Sequence, residues 1–248
     1  MRGDSFLYEA GLKFNLLDDR LFAAIAVFDQ KHAVPTGPGD TLSIGADTRG
    51  VELEMNYQPN RNLFATASYS FIKSTLDSPP SFYDFPAQPG VNVDGGGVVL
   101  TSDQLFLPNQ KVDQPDQPQH LFNFLGNYKF ENGIGLRTGV QVTGPIALTA
   151  SALIDTAALN AAGIPTPTDS VTPVAGRDGV GYYKSPVIPW QYTWNAAVFY
   201  EFSRYTVTLS VYNLTDRRNW QPSPNLYGND FLVRSDPRTV EIRLQAKF

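Results

Sequence analysis

Apolar and polar residues alternate one for one along much of this chain, while helical periodicity is almost absent. The last twelve residues show it most plainly. Val240, Ile242, Leu244, Ala246 and Phe248 are apolar, and Glu241, Arg243, Gln245 and Lys247 stand between them. In an extended strand those two sets point to opposite faces. The same pattern predicts nine strands, over residues 5–16, 20–32, 42–57, 61–75, 119–130, 133–145, 190–202, 204–214 and 237–248. Several exceed the usual five or six residues of a soluble strand, and they reach the roughly 9–11 tilted residues that cross a bilayer.

The connections sort by length. Tight turns fall near Leu17–Asp19, Gln58–Asn60, Glu131–Asn132 and Ser203; the other connections are 33–41, 76–118, 146–189 and 215–236. In an up-and-down meander this alternation puts every tight turn at one end and every long loop at the other, the asymmetry of outer-membrane barrels. Of the 19 prolines, 16 lie in the four long connections and the rest in a turn or at strand ends, so no strand interior loses a ladder hydrogen bond.

One face of each strand carries a membrane pattern. Strand 190–202 presents Trp190, Tyr192, Trp194, Ala196, Val198, Tyr200 and Phe202, with rings at both ends and small residues between. Strand 119–130 repeats the design with Phe122, Phe124, Gly126, Tyr128 and Phe130. Such series fit an apolar band between two aromatic girdles, here Trp190, Tyr192 and Trp194 at one level and Tyr200, Phe202, Tyr128 and Phe130 at the other. A soluble sheet on a core also alternates, but its largest residues belong mid-strand. The opposite faces are polar (Glu9, Lys13, Asn15; Glu52, Glu54, Asn56; Arg137, Gln141) and suit a wet lumen or a polar plug. Asp47 and Arg49 share the face of Val51 and Leu53; the expectation is that 42–49 stand beyond the bilayer, because a lipid-exposed arginine at mid-membrane costs about 2–4 kcal/mol.

Composition narrows the function. A net charge of -5 speaks against a nucleic-acid binder, which needs a basic surface. With no cysteine and two histidines, His32 and His120, thiolate and multi-histidine metal sites drop out, and the two histidines read as surface residues rather than a catalytic pair. No phosphate-binding glycine loop or nucleophile elbow is present; Gly95-Gly96-Gly97 reads as a flexible turn. Neither a catalytic residue nor a cofactor is expected, and no apolar leader opens the chain.

Four segments carry a family likeness: YEAGLKFNLLDDRL (8–21), GVELEMNYQPNRNLFATASYSF (50–71), VYNLTDRRNW (211–220) and DPRTVEIRLQAKF (236–248). In this order they resemble the C-terminal barrel of TonB-dependent outer-membrane receptors. The resemblance implies an all-β, antiparallel up-and-down transmembrane barrel, here partial, with about nine strands of the roughly 22 in such plugged barrels. It implies that residues 1–248 are the C-terminal part of the barrel, with the plug domain and signal peptide absent. It further implies uptake of a scarce nutrient, most often a ferric siderophore, driven by the TonB complex through the missing N-terminal part. Phe248 would then be the terminal aromatic read by the barrel-assembly machinery, ahead of the competing reading as a residue of the periplasmic aromatic girdle. Membrane lipid and a small-molecule ligand are the other expected partners. A passive porin is the rival reading, and the segments NLTD and DPRT speak against it.

Recognition is expected in the long loops. Loop 76–118 holds six aspartates against Lys111. The aromatic residues Tyr83, Tyr182, Tyr183, Trp220 and Tyr227 are the candidate ligand contacts, since rings give contact area at low entropic cost; packing of the loops against one another is the competing role.

Overall fold

The computed structural model describes residues 5–35, 43–77, 107, 110–148, 150–161, 166, 168–223 and 231–247. Nine long strands form one antiparallel wall in chain order: β1 (Phe6–Leu16), β2 (Leu21–Pro35), β3 (Ser43–Tyr57), β4 (Leu63–Leu76), β6 (His120–Lys129), β7 (Ile134–Thr143), β13 (Gln191–Phe202), β14 (Tyr205–Tyr212) and β17 (Thr239–Ala246). Each pairs with the one before it, as a meander requires. All nine expected strands are present, most within two or three residues of the expected ends.

The register puts the alternation to use. One ladder row runs Tyr57, Ala65, Gly126, Thr138, Ala196, Val211, Val240 across seven strands. The next row toward the tight turns runs Leu63, Tyr128, Leu136, Val198, Leu209, Ile242. A shift of one residue in any pair would send a whole strand's apolar set to the other face. The apolar sets therefore fuse into one continuous surface, and nothing among the described residues covers it: Ile242 is 74% exposed and Leu244 67%. A soluble sheet would bury that face; an uncovered one of this extent is a lipid-facing wall.

The tight turns meet at one end. Leu17, Asp18 and Asp19 turn the β1–β2 hairpin with positive φ, and Ser203 does so between β13 and β14. Gly133 has φ 86°, and a Cβ there would collide with the Glu201 carbonyl, so glycine is required. Asn60 caps its turn by accepting the Asn62 and Leu63 backbone N–H groups at 2.9 and 3.0 Å.

At the other end the long connections contain structure that the alternation did not announce. β5 (Val112–Asp113) pairs with β4 and continues the line of β6. β8 (Ile146–Ala147) and β12 (Val187–Ile188) pair beyond the β7–β13 hairpin. β9 (Ala152–Asp155), β10 (Val171–Pro173) and β11 (Val180–Tyr183) form a three-stranded sheet with a short helix, Thr156–Ala161. β15 (Trp220–Ser223) and β16 (Phe231–Arg234) form a last hairpin. The buried apolar cluster lies here, around Ala46, Leu76, Val112, Ala150, Ala152, Ile154, Leu159, Val171 and Tyr183. The core of the described residues thus lies in a cap at the loop end, where the ends of β3 and β4 join it, and in the rest of the wall Phe199 alone is a buried apolar residue among those described.

Candidate functional site

The polar face of the wall is built from inward positions of every strand. Lys13, Glu52, Glu54, Ser68, Ser70 and Asn123 line one trough of about 390 Å³, and Thr66, Ser68, Asn123, Gln141 and Asn195 line a smaller one beside it. Near the tight turns Lys129 pairs with Glu201 across β6 and β13. Hydrogen-bonding groups held on a rigid wall suit contact with water, a polar solute or a second domain filling the interior.

At the loop end this face passes under the final connection. A cleft of about 330 Å³ lies between inward residues Leu121, Gln141, Thr143, Gln191 and Thr193 and the overhanging Asn219, Trp220 and Gln221. Two amides fasten the overhang. The Gln191 side chain donates to the Trp220 carbonyl at 2.7 Å and accepts the Trp220 backbone N–H, so it imitates one rung of a ladder. Asn219, 7% exposed, donates to the Tyr192 carbonyl at 2.8 Å and to Thr193 Oγ1 at 3.0 Å. Gln110 makes the same two-way bond to Leu153, at 2.9 and 2.8 Å, and ties the loop-end sheet to the returning leg of loop 76–118.

The segments NLTD and DPRT meet in a clasp at the base of the final loop. Asn213 and Asp216 both have positive φ, which asparagine and aspartate tolerate better than most residues. The Asn213 side chain donates to the carbonyls of Arg217 and Asp236, both at 3.0 Å, and accepts the Arg217 N–H at 3.0 Å. Asp216 accepts the Arg238 N–H at 2.9 Å. Asn213-Leu214-Thr215, which as a sequence is only a chance glycosylation sequon, is therefore the joint that brings both legs of the loop together. Its signal in the sequence was the spacing of two residue types suited to left-handed backbone.

Charges gather on the apolar side just beyond the last apolar positions of β2 to β4. Arg49 donates to Asp29 at 2.9 Å, Lys31 lies 3.7 Å from Asp47, and Lys73 lies 3.3 Å from Asp113. Lys111 bridges Asp47 and Asp77, and hydrogen bonds to these two carboxylates hold its ammonium above the ordinary lysine range. Arg49 is thus neutralised at the loop end, beyond Val51.

The expected site residues fall in different places. Trp190, Tyr192, Trp194, Tyr128, Phe130, Tyr200 and Phe202 all stand exposed on the apolar face. Rings meet at the turn end (Tyr128–Phe130 at 4.7 Å, Tyr200–Phe202 at 5.3 Å) and at the loop end, where His120 lies between Phe71 and Trp190 and bonds Tyr69 at 2.8 Å. Of the candidate ligand contacts, Tyr182 and Trp220 are exposed, but they lie on separate hairpins. Tyr183 is 3% exposed and packs in the loop-end core. Tyr83, Tyr227 and Phe248, like Gly95-Gly96-Gly97, lie outside the described residues. Gln191 and Asn219, which fasten the cleft, gave no chemical signal in the sequence.

Known proteins share this architecture. The ferric-catecholate import receptor Fiu of E. coli K12 is 17% identical, with a TM-score of 0.61 over 98% of this chain and 27% of its own. The siderophore receptor PiuA of Acinetobacter baumannii is 16% identical, with a TM-score of 0.59 over 97% of this chain and 28% of its own. The ferripyoverdine receptor of the Pseudomonas aeruginosa outer membrane is 16% identical, with a TM-score of 0.56 over 97% and 26%. At these identities the likeness shows a shared fold, and the chain spans less than a third of each structure's length. No protein with curated annotation matches in sequence. A sequence profile for the TonB dependent receptor-like β-barrel matches residues 5–214, most of the chain. That family consists of receptors, not enzymes. The chain belongs to the TonB-dependent receptor β-barrels, proteins of the outer membrane.

Proposed function

We propose that residues 1–248 are the C-terminal part of a receptor that captures a scarce nutrient outside the cell and imports it, a ferric siderophore being the cargo. The observation that carries this reading is a wall whose apolar face is uncovered and whose polar face leads to a cleft beneath structured loops. The three similar structures are a ferric-catecholate import receptor, a siderophore receptor and a ferripyoverdine receptor, each more than three times as long as the aligned region. In this reading the plug and the TonB-contacting segment come from residues outside the chain.

Within that scheme Tyr182 and Trp220 are the described aromatic residues offered to the ligand, with Tyr83 and Tyr227 on the neighbouring connections. The burial of Tyr183 favours packing for that ring. Trp190, Tyr192 and Trp194 form the girdle at the loop end, and Tyr128, Phe130, Tyr200 and Phe202 the one at the turn end, where the rings meet headgroups. Phe248 serves the barrel-assembly machinery. The test is growth of a strain lacking the full-length gene on a panel of ferric chelates as sole iron source. Loss of growth on one chelate, restored by the intact gene, is expected; unchanged uptake of every chelate removes the siderophore assignment.

A further inference from the structure

The loop-end rim of the apolar face carries two charged patches, and they differ. Across β2 to β5, Lys31, Arg49, Lys73 and Lys111 meet Asp29, Asp47, Asp77 and Asp113, four of each sign, in mutual ion pairs. That patch satisfies itself. Around β13, β14 and β17 the cations are arginines: Arg217, Arg218, Arg234 and Arg238, all exposed. Among the described residues none of them pairs with a carboxylate. Asp216, next to Arg217 in sequence, accepts the Arg238 backbone N–H instead.

Two of these arginines are placed by the fold. The Arg217 guanidinium lies 4.4 Å from the centre of the Tyr192 ring and donates to the Trp190 carbonyl at 3.1 Å, which sets it among the outward-facing rings. Arg238 immediately precedes β17 and stands exposed two residues before Val240, on the loop side of the last apolar position of that strand. The Asn213 clasp holds the Arg217 and Arg238 backbones against each other. A guanidinium stacked on a ring keeps its remaining N–H groups free for a planar or tetrahedral oxyanion. Its place is the border between apolar wall and water, where the phosphates of lipids lie.

We propose that Arg217 and Arg238 form a binding site for the phosphate headgroup of a membrane lipid, flanked by the rings of Trp190 and Tyr192, with its acyl chains along Val211 and Val240. The proposal rests on the lipid-facing reading of the apolar wall, and it is independent of which nutrient is carried. A phosphate there is drawn by unpaired charge, met by two forked donors and flanked by rings at headgroup level. The ion-paired patch on β2 to β5 offers no such surplus, so headgroups should pass over it.

The test is native mass spectrometry of the full-length receptor in a neutral detergent, with added phosphatidic acid or the diacylglycerol of the same chains. Retention of phosphatidic acid and not of diacylglycerol is expected. The R217Q/R238Q variant should retain about tenfold less, the loss of charge-assisted contacts, and R49Q should match the wild type. Equal retention of both lipids, or an equal loss in R49Q, overturns the site. Displacement by an equimolar amount of inorganic phosphate overturns the lipid assignment in favour of a free anion. Should R217Q/R238Q fail to give the compact, heat-modifiable band of a folded barrel, Y192L decides. It keeps both charges but removes the ring under Arg217, and it should weaken retention of phosphatidic acid; unchanged retention in Y192L overturns the proposal.

Discussion

The wall and the loop-end cap are made of the same kind of chain and are stabilised in opposite ways. The wall's apolar residues are exposed along its whole width, and its order comes from an unbroken hydrogen-bonded register. The cap has short strands with little pairing, and its order comes from a small dry core, with Ile154 fully buried, and from side-chain amides that stand in for ladder bonds. The difference reflects the solvent on each side. Lipid makes an apolar exterior favourable and an unmade backbone hydrogen bond expensive, so the wall needs pairing and no core. Water at the loop end reverses both terms, so the cap needs burial.

The comparison can be broken in four places. Ile154→Ala should cost the cap about 2–5 kcal/mol, as cavity formation does in a packed core, while leaving the wall intact. Proteolysis of the full-length receptor should then cut within 146–189 and spare the heat-modifiable barrel; a global loss of the barrel would mean that the two regions fold as one. Ile242→Arg, mid-strand on the apolar face, should cost about 2–4 kcal/mol in a bilayer, read from denaturant unfolding in vesicles. Thr208→Arg, on the polar face, should cost much less; equal costs would refute the assignment of faces.

Asn213→Ala removes three side-chain hydrogen bonds and leaves two carbonyls without their donor and the Arg217 N–H without its acceptor. It should cost about 1–3 kcal/mol, seen as faster amide exchange at Arg217 and Arg238 with the β13–β14 ladder still protected. Asp29→Asn should matter least. The exposed pair with Arg49 is worth at most about 1 kcal/mol, and the change should vanish in molar salt because the ions screen it. An effect that persists in high salt would mean that the rim charges act through packing.

Strand number, order and faces were legible because alternation is a local property. Val240 to Lys247 shows its two faces without reference to any other strand, and loop lengths order the ends. The family segments were legible as segments, but their use was not. Asn213 reads as part of a sequon until the backbones of Arg217 and Asp236 are seen to converge on it. The short strands β8 to β12 were hidden because two to four residues are too few to display a period, and their pairing joins residues far apart in sequence. Tyr182 and Tyr183 are neighbours that no pattern separates, yet one is exposed and the other lies in the core, since adjacent residues of a strand face opposite ways and only the packing says which way is inside.

What the sequence determined by itself is a two-faced sheet with its tight turns at one end, because side-chain direction along a strand follows from chain geometry alone. What tertiary structure decided is where the charges and amides find partners: Arg49 neutralised by Asp29, Arg217 laid on Tyr192, and Gln191 closing over Trp220. Those contacts depend on register and on loops folding back. A hydrogen bond or ion pair forms only where two distant segments arrive within about 3 Å of each other, a condition that no local pattern encodes.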